Sequence, residues 1–147
     1  MEIERKFLIS KLPEALGKYP SSEIEQAYIN EKPVIRIRKS DDRYILTVKG
    51  EGVLAHEEYE LPLTEDAFLH LLSKADGKII RKTRFRIPYG KYTIELDLFH
   101  GEFEGLQLAE VEFPDIREAE AFTPPDWFTK DVTNDPAYRN AVMAYGS

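Results

Sequence analysis

The chain has 147 residues, with 20 Lys+Arg against 27 Asp+Glu, a formal net charge of −7 and no cysteine. That length, with 42% hydrophobic and 12% aromatic residues, fits one folded domain over 1–147 and excludes intrinsic disorder. The missing cysteines exclude disulfides, a thiol nucleophile and a Cys-ligated metal, and the acidic balance excludes a generic nucleic-acid binder. No apolar run is long enough for a membrane helix, and MEIERKF has no apolar signal core, so a cytoplasmic location without a membrane partner is expected.

Alternating apolar and polar residues predict strands over 2–9, 24–31, 33–39, 43–49 and 57–63. Turn chemistry separates them at Lys32-Pro33, Ser40-Asp41-Asp42 and Gly50-Glu51-Gly52. Thr64 then precedes EDAFLHLLSKA, where acids in the first turn and the spacing of Phe68, Leu69, Leu71 and Leu72 predict a helix. Strands follow over 79–87, 91–99 and 106–113, the first two joined by Pro88-Tyr89-Gly90. Pro114 opens a second helix over 115–122. Trp127 and Phe128, after Pro124 and Pro125, read as a packed loop. A third helix is predicted over 135–145, with Asp135 as N-cap and Pro136 at its first position. The class is α+β, strand-rich, and the spacings suit antiparallel hairpins in a meander.

The polar face of these strands is unusually charged. Period two puts Glu2, Glu4 and Lys6 on one face of the first strand, Arg36 and Arg38 on the third and Lys49 on the fourth. It adds Glu58 and Glu60, then Lys82, Arg84 and Arg86, then Glu95 and Asp97, then Glu110 and Glu112. Like charges two residues apart on one strand repel at roughly 7 Å, so a merely wetted face has no reason to repeat such blocks. A sheet curled into a barrel explains them, with acids and bases facing across an interior and helices covering the apolar outside. Buried charges there need counter-charges, a metal or a ligand. Paired carboxylates suit Mg²⁺ or Mn²⁺, and an Arg/Lys cluster suits phosphate oxygens, so the face points to a metal–polyphosphate ligand. Other sites find no support. His56, His70 and His100 show no metal-ligand spacing, and no GxSxG, Walker A or GxGxxG motif occurs.

Glu2-x-Glu4-x-Lys6 resembles the ExExK signature of the CYTH superfamily, the triphosphate tunnel metalloenzymes. Arg36-x-Arg38, Thr47-x-Lys49, Glu58-x-Glu60, Lys82-x-Arg84, Glu95-x-Asp97 and Glu110-x-Glu112 follow in the family's order, and DVTNDPAYRNAVMA resembles its closing segment. The resemblance implies an eight-stranded antiparallel β tunnel acting on a small-molecule triphosphate with Mg²⁺ or Mn²⁺. Short members resemble inorganic triphosphatases, which cut tripolyphosphate to pyrophosphate and phosphate. Thiamine-triphosphatase and class IV adenylate cyclase are alternatives among relatives, and a non-catalytic polyphosphate or nucleotide sensor is a third reading. By position, Glu2, Glu4, Glu110 and Glu112 would hold metal. Lys6, Arg36, Arg38, Lys49, Lys82 and Arg84 would hold phosphates, and Glu58, Glu60, Glu95 and Asp97 would complete the tunnel. Lys6, Tyr28 and Glu60 are the catalytic candidates, Tyr28 because some relatives place a tyrosine beside the ExExK lysine. Relatives are often dimers, so a homodimer is an expected assembly.

Overall fold

The computed structural model describes residues 2–51 and 55–146, except for the side chain of His56. Gly52, read above as a turn residue, and the His56 side chain lie outside the described residues. The strands are β1 (Glu2–Ile9), β2 (Ser21–Asn30), β3 (Val34–Ser40), β4 (Arg43–Lys49), β5 (Ala55–His56), β6 (Glu58–Leu63), β7 (Asp76–Tyr89), β8 (Tyr92–His100), β9 (Gln107–Glu112) and β10 (Phe128–Asp131). The helices are α1 (Glu65–Leu72), α2 (Ile116–Ala121) and α3 (Asn140–Tyr145). No helix among the described residues is long and apolar enough to cross a membrane.

All strand pairings are antiparallel, in the order β10-β1-β9-β8-β7-β2-β3-β4-β6, with β5 pairing β1 off that path. Among the described residues, hydrogen bonds do not close this ladder into a ring. One stretch nevertheless pairs near both ends: β5 pairs β1, the strand next to β10, through Glu2↔His56 and Ile3↔Ala55, and β6 pairs β4 from Lys49↔Glu58 to Tyr44↔Leu63. The Lys49 ammonium bridges the gap, 3.2 Å from Glu2 Oε1 and 3.8 Å from Glu58 Oε1. Eight strands are predicted and each is found. The two further ones, β5 and β10, are too short to show a period, and β10 begins inside the stretch expected to be loop.

The outward apolar residues form two clusters under helices. Phe7, Ile87, Ile94, Leu96, Val111 and Phe113 pack with Ala119 of α2, Phe122 and Phe128. On the other side Phe68 of α1, 1% exposed, packs on Ala27 and Ile37. Burying such a side chain stabilises the fold by roughly 1.5–3 kcal/mol. Caps set the helix starts: Thr64 Oγ1 accepts from the Ala67 amide, and Asp115, expected as the first helical residue, instead caps α2 by accepting from the Glu118 amide.

A third cluster lies inside. Leu8, Tyr28, Ile80, Phe99 and Leu108 meet Val132 and the α3 residues Met143 and Ala144, so one end of the interior has an apolar floor sealed by α3. Gly77 permits that seal: at φ +70°, a Cβ there would sit 2.3 Å from the Ala144 carbonyl oxygen. The helix predicted over 135–145 is interrupted. Asp135 does cap, accepting from the Ala137 amide, but only a 3-10 turn (Pro136–Tyr138) follows. Arg139 is extended (φ −79°, ψ 131°) before α3 begins. The Lys6 ammonium takes the Tyr138 carbonyl at 2.8 Å, an acceptor that a continuous helix would use itself.

Candidate active site

The charged face looks into one cavity of about 710 Å³. Its wall includes Glu2, Glu4 and Lys6 of β1, Arg36 and Arg38 of β3, Lys49 of β4 and Glu58 and Glu60 of β6. Arg84 of β7, Glu95 of β8, Glu110 and Glu112 of β9 and Tyr28 of β2 complete the candidates found there. Strict alternation on seven strands explains the convergence, since each inward position carries its block of like charge to the same side.

The carboxylates crowd where β1, β9 and β8 meet. Glu4 lies opposite Glu112, Lys6 opposite Glu110 and Glu95 opposite Glu110 in the ladder. Burial, then the negative charge of Glu110, pushes the Glu4 carboxyl up to about 8. Burial and a hydrogen bond with Glu2 push Glu58 up to about 7. Glu112 is also raised, by burial and by Glu2. Glu110 goes the other way. Burial alone would raise it, but Lys6, Arg84 and Lys82 together hold it well below the usual carboxylate range. Its carboxylate stands 3.6 Å from the Lys6 ammonium and 4.0 Å from Arg84. Among the described residues no three such side chains converge into a ready-made cation cage.

The bases are held in distinct ways. Arg84 is forked onto Asp97 at 2.7 and 2.9 Å and reaches Glu95 at 3.5 Å. Burial would lower the Arg84 guanidinium, but Asp97 more than offsets this and raises it. Arg36 donates one Nη to Thr47 Oγ1 at 3.2 Å, while its buried Nε has no hydrogen-bond partner among the described residues. Arg38 donates Nε to Gln26 Oε1 at 2.9 Å.

Lys82 and Asp97 do not reach the cavity wall. They lie behind it, 0% and 1% exposed, ion-paired at 2.7 Å. Lys82 expected on phosphate is thus a buried counter-ion, with Phe99 under its ammonium at 5.3 Å. Burial outweighs Asp97 and pushes the Lys82 ammonium down to about 7. Burial would raise Asp97, yet Arg84 and Lys82 hold it below its usual value. Arg86 is turned away, donating to Ser22 Oγ at 2.9 Å. Lys6 and Tyr28 both line the cavity, but no hydrogen bond joins them: Lys6 turns to Tyr138 and Tyr28 to Gln26.

Sequence reasoning missed Thr133, Arg139 and Asn140, which the C-terminal segment adds to the wall. Thr133 Oγ1 accepts from the Lys6 amide at 2.9 Å. No strand period flags these residues, because Thr133 sits on a turn, Arg139 on a bend and Asn140 at the start of α3. Gln26 was also missed, though its two-residue offset from Tyr28 was legible.

An antiparallel sheet that folds charged alternate residues around one cavity and seals one end with a C-terminal helix defines a CYTH domain. The chain belongs to that family, whose model matches residues 1–133. It is 36% identical over 148 residues to the inorganic triphosphatase of Nitrosomonas europaea, covering 97% of this chain and 96% of that protein. It is 37% identical over 147 residues to the inorganic triphosphatase of Acetivibrio thermocellus, covering 97% and 92%. It superposes on a crystal structure of an inorganic triphosphatase with a TM-score of 0.74 at 33% identity, covering 100% and 96%.

Proposed function

We propose that this chain is a triphosphatase that hydrolyses inorganic tripolyphosphate to pyrophosphate and phosphate with Mg²⁺ or Mn²⁺ bound. The supporting observation is one cavity holding Arg36, Arg38, Arg84, Lys6 and Lys49 beside Glu2, Glu4, Glu110 and Glu112. The sheet then works as a barrel, with Lys49 linking Glu2 of β1 to Glu58 of β6 across the gap. Its relatives named inorganic triphosphatase point the same way.

The donor set fits a hard cation. Glu4, buried and crowded by Glu110 and Glu2, is pushed up to about 8, so a cation beside it would be favoured. An ion such as Mg²⁺ takes one or two carboxylates and completes its shell with water and substrate oxygens. Glu2, Glu4, Glu110 and Glu112 would hold it, and when bound it supplies Lewis-acid stabilisation of phosphate charge. Phosphoryl transfer asks the protein mainly for positioning and charge stabilisation. Arg36, Arg38 and Arg84 offer planar forks to phosphate oxygens, and the unpartnered Nε of Arg36 leaves a donor for one. Lys6 and Lys49 add point charges. Glu60, on the wall, would orient the attacking water. Asp97 holds Arg84 from behind, with Lys82 as a second cation on the same carboxylate.

A phosphate-release panel with tripolyphosphate, ATP and thiamine triphosphate, each with Mg²⁺ and Mn²⁺, tests the proposal. Tripolyphosphate turnover that EDTA abolishes is expected. Cyclic AMP and pyrophosphate from ATP, or tight binding without turnover, would overturn it in favour of a cyclase or a sensor.

A further inference from the structure

Gln26 lies on β2 beneath the cavity and is 0% exposed. Its amide bridges two cavity residues: Arg38 Nε donates to its Oε1 at 2.9 Å, and its Nε2 donates to Tyr28 Oη at 3.0 Å. The direction of this chain follows from chemistry. A guanidinium Nε–H can only donate, so the amide atom facing it is the oxygen. The other end of the amide is then the NH₂ group, which also donates. Tyr28 Oη must therefore accept from Gln26, and its own proton points elsewhere. Among the described residues no protein group accepts that proton. Tyr28 is 2% exposed and is one of the residues that line the cavity.

We propose that Gln26 is a positioning residue that fixes Tyr28 as a hydrogen-bond donor to an anionic oxygen in the cavity. The proposal rests on the triphosphatase reading and assigns within it the partner of the tyrosine. Gln26 also occupies the Arg38 Nε, which leaves that side chain's two Nη groups for the ligand. The arrangement is a relay of donors, from cation to amide to phenol to phosphate oxygen. A tyrosine so polarised assists by donating and is not arranged to act as a base. A merely structural role would be the satisfaction of one buried amide, which predicts no energetic link between residue 26 and the Tyr28 hydroxyl.

The test is a double-mutant cycle of Gln26→Leu and Tyr28→Phe, read in tripolyphosphate hydrolysis with Mg²⁺. It is also read in calorimetric binding of tripolyphosphate with EDTA, where no turnover occurs. Each single variant should lose on the order of tenfold in kcat/KM, the scale of one hydrogen bond to a charged group. The double variant should be no more than about threefold worse than Tyr28→Phe alone, because the relay is already cut. Losses that multiply, near a hundredfold together, would overturn the proposal, as would a Gln26→Leu variant with wild-type kinetics. If Gln26→Leu does not fold, Gln26→Glu replaces it. Its carboxylate keeps the shape but accepts from both neighbours and draws the phenol proton away from the ligand, so a tenfold loss is expected and an unchanged rate refutes the relay. A wild type without turnover would defeat the triphosphatase reading alone. The binding arm would then still decide the relay, and a wild type that does not bind tripolyphosphate at all would defeat both.

Discussion

Replacing Asp97 by Asn would test whether the back of the site is held by charge. The side chain is 1% exposed and serves two cations, Arg84 through a fork at 2.7 and 2.9 Å and Lys82 at 2.7 Å. Removing one partner of a buried ion pair costs about 3–5 kcal/mol, because the other charge is left uncompensated. Two features place the cost near the lower end. Arg84 keeps Glu95 at 3.5 Å and Glu110 at 4.0 Å. Lys82, already pushed down to about 7, can shed its proton cheaply near neutrality. A loss of about 3 kcal/mol should lower Tm by roughly 6–12 °C for a domain of this size. Thermal unfolding followed by circular dichroism at pH 7 measures it. The double variant Lys82→Met with Asp97→Asn should melt no lower than Asp97→Asn alone, since the lysine is then no longer a stranded charge. An Asp97→Asn protein melting within about 2 °C of wild type would refute the reasoning.

Three further outcomes are expected. Glu4→Gln or Glu110→Gln should lower Mg²⁺-dependent tripolyphosphate hydrolysis by at least about a hundredfold, consistent with losing several kcal/mol of transition-state stabilisation; an unchanged circular dichroism spectrum would show that the fold survives. Native Glu4 and Glu58 titrate near 8 and 7, above ordinary carboxylates, so the folded chain holds protons that the unfolded chain has released, and the stability they contribute is lost as pH rises. The cation-free protein should therefore melt progressively lower from pH 5 to pH 7, and Mg²⁺ with tripolyphosphate should release protons on binding, seen by calorimetry in buffers of different ionisation enthalpy. Phe68→Ala empties the contact between α1 and the sheet and should cost about 3–5 kcal/mol in urea unfolding, while activity at low temperature persists because this cluster lies on the opposite face from the cavity.

Much of this was legible because charge and apolarity alternate so strictly. Ile35-Arg36-Ile37-Arg38 and Ile94-Glu95-Leu96-Asp97 each announce two faces, and a one-residue slip would bury charges under helices. Thr64, just before the acids of the first turn, announces the start of α1. Depth along the interior was not legible. Period two says that Lys82 and Asp97 point inward, but not that they sit between the cavity and the apolar floor formed by Phe99, Leu108 and Ile80. The break at Arg139 was hidden as well, because Pro136-Ala137-Tyr138 is locally compatible with a helix. The competing acceptor claim comes from Lys6, more than a hundred residues away in sequence. Glu4 and Glu110 look alike as alternating acids, yet burial and Glu110 push Glu4 up while Lys6, Arg84 and Lys82 hold Glu110 down.

A crystal structure with Mg²⁺ and a slowly hydrolysed tripolyphosphate analogue tests most directly whether the inward charges form one substrate site. The expected density is a phosphate chain inside the cavity touching Arg36, Arg38 and Arg84, with the cation between it and Glu4 or Glu110. Density for the anion on the outer face, with an interior holding only water, would contradict it.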